Sequence, residues 1–293
     1  MKKPVWNNNI LVLGLFLCFL AVAPVRSSAA FSGRIVSLAP SVTECLFSLG
    51  SGDLVAGVTD HDVFPEEVKE LPSVGGYFDP SLEKILSLSP DLVIGISTFH
   101  GRLLERLESM GVKTLPLTVH RGLEGVGDSL HSIGEKIGKR AMAEDLWRDI
   151  MEKIDLVAED VKRSFPGGPP SLLVVVWHDP LTVAGGVNFI DDILTRIGIP
   201  NAAGDINYTF PQLDPEGVII RDPDIILVPR TERGMSLSPD VLENALKGLP
   251  IRAVEEGRIV SVSADLLFHP GPRVAEAAML LLGSIMQFEG LVQ

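Results

Sequence analysis

Two patterns of hydrophobic positions alternate along the chain after residue 33. Short, continuously apolar runs, such as residues 34–38 and 92–95, have the length and β-branched content of buried strands. Between these runs, apolar residues recur at spacings of three and four, which predicts amphipathic helices. Continuous apolar runs between helices are typical of parallel strands that are covered on both faces. The pattern therefore predicts an α/β fold.

One helical pattern in the middle of the chain is far longer than the others. Within residues 141–164 charged residues separate a regular apolar series, formed by Leu146, Ile150, Ile154, Val157 and Val161. This series predicts a single helix of about six or seven turns. Strands and helices alternate again after the Pro- and Gly-rich residues 165–170. We therefore predict an N-terminal lobe at 31–138, a connector helix at 139–166 and a C-terminal lobe at 167–293.

The two predicted lobes contain similar sequence segments. Residues 79–94 and 214–227 each carry an Asp-Pro pair, a Glu (Glu83 or Glu216), and then Pro-Asp followed by a strand. The Gly-Arg-Ile-Val-Ser sequence of residues 33–37 also recurs at 257–261. A Glu in the first turn of a helix favours the helix dipole, which explains either copy alone. Its presence in both lobes favours an internal duplication in which the two acids share a role.

The first 30 residues have the features of a secretory signal peptide. A basic start at Lys2 and Lys3 precedes an apolar run over residues 10–23, and small residues follow at 28–30. Two alternatives stay open. Cys18 is a potential lipidation site, although Leu17 stands where a small residue is usual, and the apolar run could remain as an uncleaved anchor. We interpret the chain as an exported protein.

Charge and composition exclude several classes of protein. The 293 residues include 38 acidic and 25 basic side chains, for a net charge of -13, and 6% aromatic residues. A nucleic-acid binder needs basic patches and stacking surfaces, so we exclude nucleic acid as a partner. The chain has 2 Cys. Because Cys45 lies in an apolar helical pattern, we interpret it as a buried, inert thiol.

Recognised catalytic motifs are missing from the sequence. It contains no Gly-x-Ser-x-Gly, His-Glu-x-x-His or Cys-x-x-Cys, and residues 134–140 are one residue short of a phosphate-binding loop. We therefore assign no catalytic residues and no metal ligands. An exported two-lobed protein of this kind is predicted to capture a ligand between its lobes. A secreted hydrolase with dispersed catalytic residues is the alternative.

The sequence resembles the helical-backbone periplasmic binding proteins, which deliver cobalamin, haem and ferric siderophores to ABC importers. The resemblance lies in residues 34–44, 57–60, 74–77 and 81–94, continues more loosely to about residue 288, and is strongest to the cobalamin-binding branch. It implies two Rossmann-like lobes with parallel sheets on either side of a stiff connector. It also implies a periplasmic location, a monomer, and a membrane permease with its ATPase as partners.

The resemblance also implies roles for particular residues. Glu83 and Glu216 correspond to the two glutamates that dock on arginines of the permease, one from each lobe. The ligand cleft is expected at the carboxyl ends of the strands of both lobes. The loops expected there contain the candidate ligand-binding residues Pro40, Ser41, His61, Tyr77, Phe99, Trp177, His178, Phe210 and Phe268.

Three ligand classes remain open from the sequence. A cobalt corrinoid is favoured, because such a ligand needs aromatic platforms more than metal ligands or Arg clusters. Haem binders of the family usually carry a Tyr where this chain has Gly76, so haem would require a substitute such as His61 or His178. Ferric siderophores are third, since the cleft loops lack Arg clusters. With a stiff connector, we also expect a preformed cleft, and we expect no resident cofactor besides the ligand.

Overall fold

A computed structural model describes Met1 and residues 31–118, 122–230 and 239–288 of the chain. The predicted signal peptide, beyond Met1, lies outside the described residues. Within them the strands form two four-stranded sheets with helices packed around each. The predicted α/β class is confirmed. The boundaries proposed for the lobes themselves stay a prediction, and the names N-lobe and C-lobe are used below for the parts before and after the long connecting helix.

The sheet of the N-lobe is parallel throughout. Its strands are arranged in the order β2-β1-β3-β4 and are β1 (Ile35–Ser37), β2 (Val55–Gly57), β3 (Leu92–Ile96) and β4 (Lys113–Leu117). The helices of this lobe are α1 (Pro40–Ser48), α2 (Leu82–Ser87), α3 (Ser97–Ser109) and α4 (Gly122–Lys136). Every residue of β1 and β3 is buried, which explains why both strands are continuously apolar or small.

The sheet of the C-lobe has the order β6-β5-β7-β8. Its strands are β5 (Leu172–His178), β6 (Leu181–Val183), β7 (Ile225–Arg230) and β8 (Ile259–Ser263). β5, β7 and β8 are parallel as predicted, but β6 pairs antiparallel with β5 across a two-residue connection. The β6 sequence Leu-Thr-Val is not a continuous apolar run like those of the other strands, so the sequence pattern does not predict it.

Six described helices of the C-lobe surround this sheet and complete the architecture. They are α6 (Phe189–Ile197), α7 (Pro215–Arg221), α8 (Pro239–Leu246), α9 (Arg252–Glu255), α10 (Ala264–Phe268) and α11 (Val274–Met286). Between the lobes runs α5 (Arg140–Ser164), whose 25 residues span about 37 Å at 1.5 Å per residue. Its buried stripe consists of Ala143, Ile150, Ile154, Val157 and Val161, close to the predicted series.

The connecting helix belongs to a hydrophobic core that is continuous between the lobes. Buried residues of both sheets, α1, α4, α6 and α11 form one cluster with those of α5. Polar contacts reinforce it: Arg196 of α6 makes two hydrogen bonds to Asp155 of α5, of 2.7 and 2.8 Å. The amide of Leu123 in α4 donates to Asp192 Oδ2 of α6 at 3.1 Å. We infer that large independent movements of the lobes would disrupt buried packing.

The repeated segments of the sequence form matching structures. Glu83 and Glu216 are each the second residue of a short helix, α2 and α7, and both are exposed. Ser81 caps α2 by accepting from the Lys84 amide at 3.3 Å, and Asp214 caps α7 by accepting from the Gly217 amide at 2.8 Å. The Asp-Pro pair therefore starts the helix in the C-lobe, whereas in the N-lobe Ser81 caps the helix in place of Asp79.

The match extends to the strands that follow these helices. Asp91, just before β3, accepts a 2.7 Å hydrogen bond from the amide of Arg34, just before β1. Asp224, just before β7, accepts a 2.9 Å hydrogen bond from the amide of Ser171, just before β5. In each lobe a carboxylate thus ties two neighbouring parallel strands together at their starting ends. This correspondence supports the duplication inferred from sequence.

Candidate ligand-binding site

An aromatic cluster forms the N-lobe wall of the cleft between the lobes. We define the N-lobe wall as Tyr77, Phe78 and Phe99. Ring centroids are 4.8 Å apart for Tyr77–Phe78, 5.2 Å for Tyr77–Phe99 and 5.3 Å for Phe78–Phe99. These are favourable edge-to-face and tilted aromatic contacts. Phe78 nevertheless stays 70% exposed and Phe99 40% exposed, so the cluster presents apolar surface outwards.

Two histidines hold the main chain of Tyr77. The Tyr77 amide donates to His61 Nδ1 at 3.3 Å, and His100 Nε2 lies 2.6 Å from the Tyr77 carbonyl oxygen. His100 Nδ1 also accepts from the Ile96 amide at 2.9 Å. Both ring nitrogens of His100 are therefore occupied within the protein. Burial raises the pKa of the Tyr77 phenol to about 12, so the side chain is a neutral phenol at physiological pH.

The C-lobe contributes the opposite wall from several separate segments. We define the C-lobe wall by the residues that face the N-lobe wall across the cavity: Asn188, Phe189, Thr209, Phe210, Phe268 and Pro270. Asn188 organises this wall. Its Oδ1 caps α6 by accepting from the Ile190 amide at 2.9 Å, and its Nδ2 donates to the Thr209 carbonyl at 2.8 Å. One buried side chain thus fixes both the start of α6 and the loop that carries Phe210.

The two walls enclose an inter-lobe cavity of about 170 Å³. Tyr77 and Phe99 lie on its N-lobe side, and Phe210 and Phe268 lie on its C-lobe side, so four predicted ligand-binding residues are brought together. The prediction that Phe99 and Phe268 belong to loops is wrong, since Phe99 lies in the first turn of α3 and Phe268 ends α10. Asn188, Phe189, Thr209 and Pro270 were not predicted. The sequence could have indicated Asn188, because Asn is a common N-cap residue directly before a helix.

Two predicted residues lie together at the end of β5. Trp177 and His178 are both exposed, with ring centroids 4.9 Å apart, and Trp177 Nε1 donates to the Asp179 carbonyl at 3.0 Å. Trp177 is 37% exposed. It therefore does not belong to the hydrophobic core. Neither residue contributes to the lining of the enclosed cavity.

Pro40 and Ser41, predicted to contact the ligand, are buried where the lobes meet. The C-lobe backbone at Gly271 lies against Ser41: a Cβ at Gly271 would lie 3.3 Å from both Cα and Cβ of Ser41. Only a glycine lets the C-lobe backbone approach α1 this closely without displacing its neighbours. A ligand that reached Pro40 and Ser41 would have to displace this segment.

A buried contact between Glu44 and Arg273 joins the lobes beside that glycine. Glu44 Oε1 of α1 lies 3.4 Å from Arg273 Nη1, just before α11, and Glu44 is 3% exposed. The guanidinium also stacks on the Phe64 ring, 4.0 Å from its centroid. Burial raises the pKa of Glu44 to about 8, although Arg273 opposes the shift. Neither Glu44 nor Arg273 was predicted to matter, because they are separated by 229 positions in the sequence.

The described residues contain neither a metal-binding cluster nor a membrane-spanning helix. Among them, no group of three or more His, Cys, Asp or Glu residues is arranged to hold a metal ion. The described part of the chain also contains no helix of the length and apolar character needed to cross a membrane. Cys45 is buried, and burial raises the pKa of its thiol.

Two α/β lobes that enclose an aromatic cavity and share one long helix define a two-lobed ligand-binding protein. The sequence matches the family model described as periplasmic binding protein over residues 35–266. The chain belongs to that family. The family assignment made from sequence is confirmed, as is the coarser inference of a binding protein.

Individual relatives agree with this assignment. An uncharacterized ABC transporter substrate-binding lipoprotein of Bacillus subtilis is 30% identical over 256 residues, covering 86% of this chain and 79% of that protein. The vitamin B12-binding protein of Vibrio campbellii is 27% identical over 266 residues, covering 89% of this chain and 93% of that protein. Among solved structures, the apo heme-binding protein RhuT of Roseiflexus sp. RS-1 has a TM-score of 0.78 and 29% identity, covering 88% and 99% of the two chains.

Proposed function

We propose that this protein is the substrate-binding component of an ABC importer and that it holds cobalamin or a related corrinoid between its lobes. The observation that carries the proposal is the inter-lobe cavity with aromatic residues on both walls. A corrinoid is a large macrocycle whose cobalt already has its ligands. Such a molecule is bound through apolar and aromatic contact and a few hydrogen bonds. The vitamin B12-binding relative supports this choice.

Haem is the second candidate, because a heme-binding protein is among the structural relatives. Binding of ferric haem by the protein would need a donor to the iron. Burial raises the pKa of the Tyr77 phenol to about 12, which makes its ionisation on binding ferric iron more costly. Both ring nitrogens of His100 are engaged in hydrogen bonds. These features favour a corrinoid over haem.

The cavity is smaller than the ligand that we propose for it. Its volume of about 170 Å³ lies below the roughly 300–1,000 Å³ of typical small-molecule pockets. The enclosed cavity can therefore accommodate only part of a corrinoid, and the expectation of a preformed cleft stays a prediction. Full enclosure of the ligand would require the walls to separate, and the continuous core limits how far they can do so. We infer that exposed Phe78, Phe99 and Trp177 take part in contact with a ligand that remains partly outside the cavity.

Delivery to a membrane permease is the second part of the proposal. Glu83 and Glu216 are exposed at equivalent points of the two lobes, which suits a partner that contacts both lobes at once. The relative from Bacillus subtilis is named as an ABC transporter substrate-binding lipoprotein, which supports a permease and its ATPase as partners. A periplasmic location and a monomeric state complete the proposal.

Calorimetric titration with cyanocobalamin and haemin side by side tests the ligand. We expect cyanocobalamin to bind more tightly, and replacement of Tyr77 by Ala to weaken it by about 1–3 kcal/mol, the scale of a lost aromatic contact. Trp147→Ala is the matched control, because Trp147 is a half-buried aromatic in a separate groove beside α4 and α5. Tighter haemin binding that is lost in His61→Ala or His178→Ala would instead assign haem.

A thermal-shift screen separates binding from catalysis. Ligand at about one hundred times its dissociation constant should stabilise the folded protein by about 2.7 kcal/mol. We expect this stabilisation with cyanocobalamin and no turnover of generic ester or glycoside substrates. Turnover without any stabilising ligand would support the secreted hydrolase instead.

A further inference from the structure

One short segment of the C-lobe both lines the cavity and contacts the N-lobe. It connects α10 to α11, and we call residues 268–273 the bridging segment. Phe268 and Pro270 of this segment belong to the C-lobe wall. Three positions after Pro270, Arg273 contacts two residues of the N-lobe. A movement of this part of the C-lobe wall away from the N-lobe would therefore carry Arg273 with it.

The side chain of Arg273 is held from both lobes. Its Nη1 donates to Glu44 Oε1 of α1 at 3.4 Å, and its guanidinium carbon lies 4.0 Å from the centroid of the Phe64 ring. Within the C-lobe, its Nε donates to Glu276 Oε2 of α11 at 3.1 Å. Separation of the lobes would break the contacts with Glu44 and Phe64 but would leave the contact with Glu276 intact. Only the first two contacts therefore resist opening of the cleft.

Gly271 lets the bridging segment lie directly against α1. A Cβ at this position would lie 3.3 Å from three atoms of α1: Ser41 Cα, Ser41 Cβ and Glu44 Oε2. The two Ser41 atoms cannot be moved aside by a change of side-chain rotamer. The φ of Gly271 is not positive, so an alanine would fit the main-chain conformation. Its methyl group would instead push the bridging segment and α1 apart.

Polar groups in this junction are incompletely paired. Glu44 Oε2 and His269 Nδ1 are buried and have no hydrogen-bond partner among the described residues. A buried polar atom without a partner is costly, and contact with water after opening would relieve that cost. The hydration gained on opening thus opposes the attraction between Arg273 and the N-lobe. Loss of the Arg273 contacts would shift the balance towards the open arrangement.

We propose that Gly271 and Arg273 are positioning residues that set the spacing of the two aromatic walls, and that a corrinoid enters fully only when the contacts of Arg273 with the N-lobe break. The proposal rests on the proposed function, since it concerns admission of the ligand to the same cleft. The cobalt of a corrinoid carries groups on both faces of the ring, so the walls must separate to enclose it. Molecules in the closed arrangement do not bind, which lowers the apparent affinity in proportion to their fraction.

Stopped-flow measurement of cyanocobalamin association and dissociation tests the proposal. Arg273→Met removes the charge and the hydrogen bonds of the side chain. We expect the association rate constant to rise by at least about fivefold and Kd to fall by the same factor, because more molecules are open before binding. The dissociation rate constant should stay close to the wild-type value, since the contacts are already broken in the complex. A general loss of structure would weaken binding and could not produce this result.

Two further variants sharpen this measurement. Glu276→Ala is the matched control, because it removes a partner of Arg273 that does not cross the cleft, and its association should be close to wild type. Gly271→Ala should accelerate association as Arg273→Met does, and it decides the matter should Arg273→Met fail to fold. Unchanged or slower association in both Arg273→Met and Gly271→Ala would overturn the proposal. An equal acceleration in Glu276→Ala would overturn it as well.

The spacing of the walls in the ligand-free protein provides an independent measurement. Spin labels at Phe78→Cys and Tyr208→Cys, two exposed positions on opposite sides of the cleft, report it by electron paramagnetic resonance. We expect longer distances in Arg273→Met than in the wild-type protein and in Glu276→Ala. Equal distances in all three proteins would overturn the proposal. Longer distances in Arg273→Met without any cyanocobalamin binding by the wild-type protein would support the role of Arg273 in spacing the walls and contradict the proposed function.

Discussion

The two lobes share their sheet order and the ties between strands, but they build their sides of the cleft differently. In the N-lobe, Tyr77, Phe78 and Phe99 touch one another and form a compact aromatic group. In the C-lobe, Phe210 and Phe268 come from segments far apart in sequence, and Asn188 fixes the loop before Phe210. The shared features lie at α2 and α7 and at the starts of the strands. The features that differ lie at the cleft.

The shared features of the two lobes and the features that differ correspond to two functions of the duplicated scaffold. A partner that contacts both lobes at equivalent points would favour the retention of Glu83 and Glu216 at matching places. A ligand without two-fold symmetry would favour different residues on its two sides. The antiparallel β6, which has a parallel counterpart in β2, shows the same asymmetry at the edge of the C-lobe sheet.

The largest effect is expected from removing both exposed glutamates. Glu83→Ala and Glu216→Ala should each reduce transport with the cognate permease, and the double variant should reduce it most, by at least about tenfold, since each charged contact contributes on the order of 1–3 kcal/mol. Substrate-stimulated ATP hydrolysis in proteoliposomes measures this loss.

Stability and cyanocobalamin affinity provide the control for these variants. Exposed single charges contribute little to folding, so neither quantity should change noticeably. Lys84→Ala, next to Glu83 and also exposed, should leave transport close to the wild-type level. A loss of ligand affinity in either glutamate variant would place that acid in the cleft and break the proposed division of roles.

An intermediate effect is expected from the two aspartates that tie the strands. Asp224 accepts from the amide and hydroxyl of Ser171 and pairs with Arg252, whereas Asp91 accepts from the Arg34 amide. We expect Asp224→Ala to lower the free energy of unfolding by about 2–3 kcal/mol and Asp91→Ala by about 1 kcal/mol. Urea denaturation compares them, and Asn at each position should restore part of the loss. Equal losses would show that the extra partners of Asp224 contribute nothing.

The smallest effect is expected where the lobes meet, at Glu44. Because its pKa is raised from 4.5 to about 8, mainly by burial, the folded protein favours the protonated side chain. This contribution to stability is complete below pH 4.5 and is lost as the pH rises through about 8. The wild-type melting temperature should therefore fall between pH 6 and pH 9 by at least about 2 °C more than that of Glu44→Gln.

Glu276→Gln provides the matched control for Glu44. Glu276 bonds to the same Arg273, at 3.1 Å, but its side chain is 49% exposed. Its replacement should leave the wild-type pH dependence nearly unchanged, since exposed pairs are screened by solvent. An equal flattening in both variants would show that Arg273, and not burial of Glu44, determines the pH dependence.

The sequence predicted those parts of the fold that depend on local periodicity. The long helix was recognisable because the apolar residues of α5 repeat over six turns. Neither the strand β6 nor the helical position of Phe99 was recognisable from the sequence. The strand β6 has no continuous apolar run, and α3 begins directly after β3 without a capping side chain.

The candidate site could be predicted only in part, because contacts between distant segments leave no local sequence pattern. Tyr77, Phe99, Phe210 and Phe268 were found because the family resemblance marks their segments, and the structure brings them together. The contacts of Tyr77 with His61 and His100, the Glu44–Arg273 contact and the contact at Gly271 depend on pairings between distant segments. No local pattern encodes such pairings. The roles of the site residues in ligand binding remain predictions.

A crystal structure of the protein with cyanocobalamin tests the central claim most directly. The account predicts the corrin ring between the lobes, with Tyr77 on one side and Phe210 on the other, and with the walls further apart than in the cavity of about 170 Å³ described here. Cyanocobalamin bound instead in the groove beside Trp147 and His131, or no binding at all alongside a well-ordered haemin in the cleft, would contradict it.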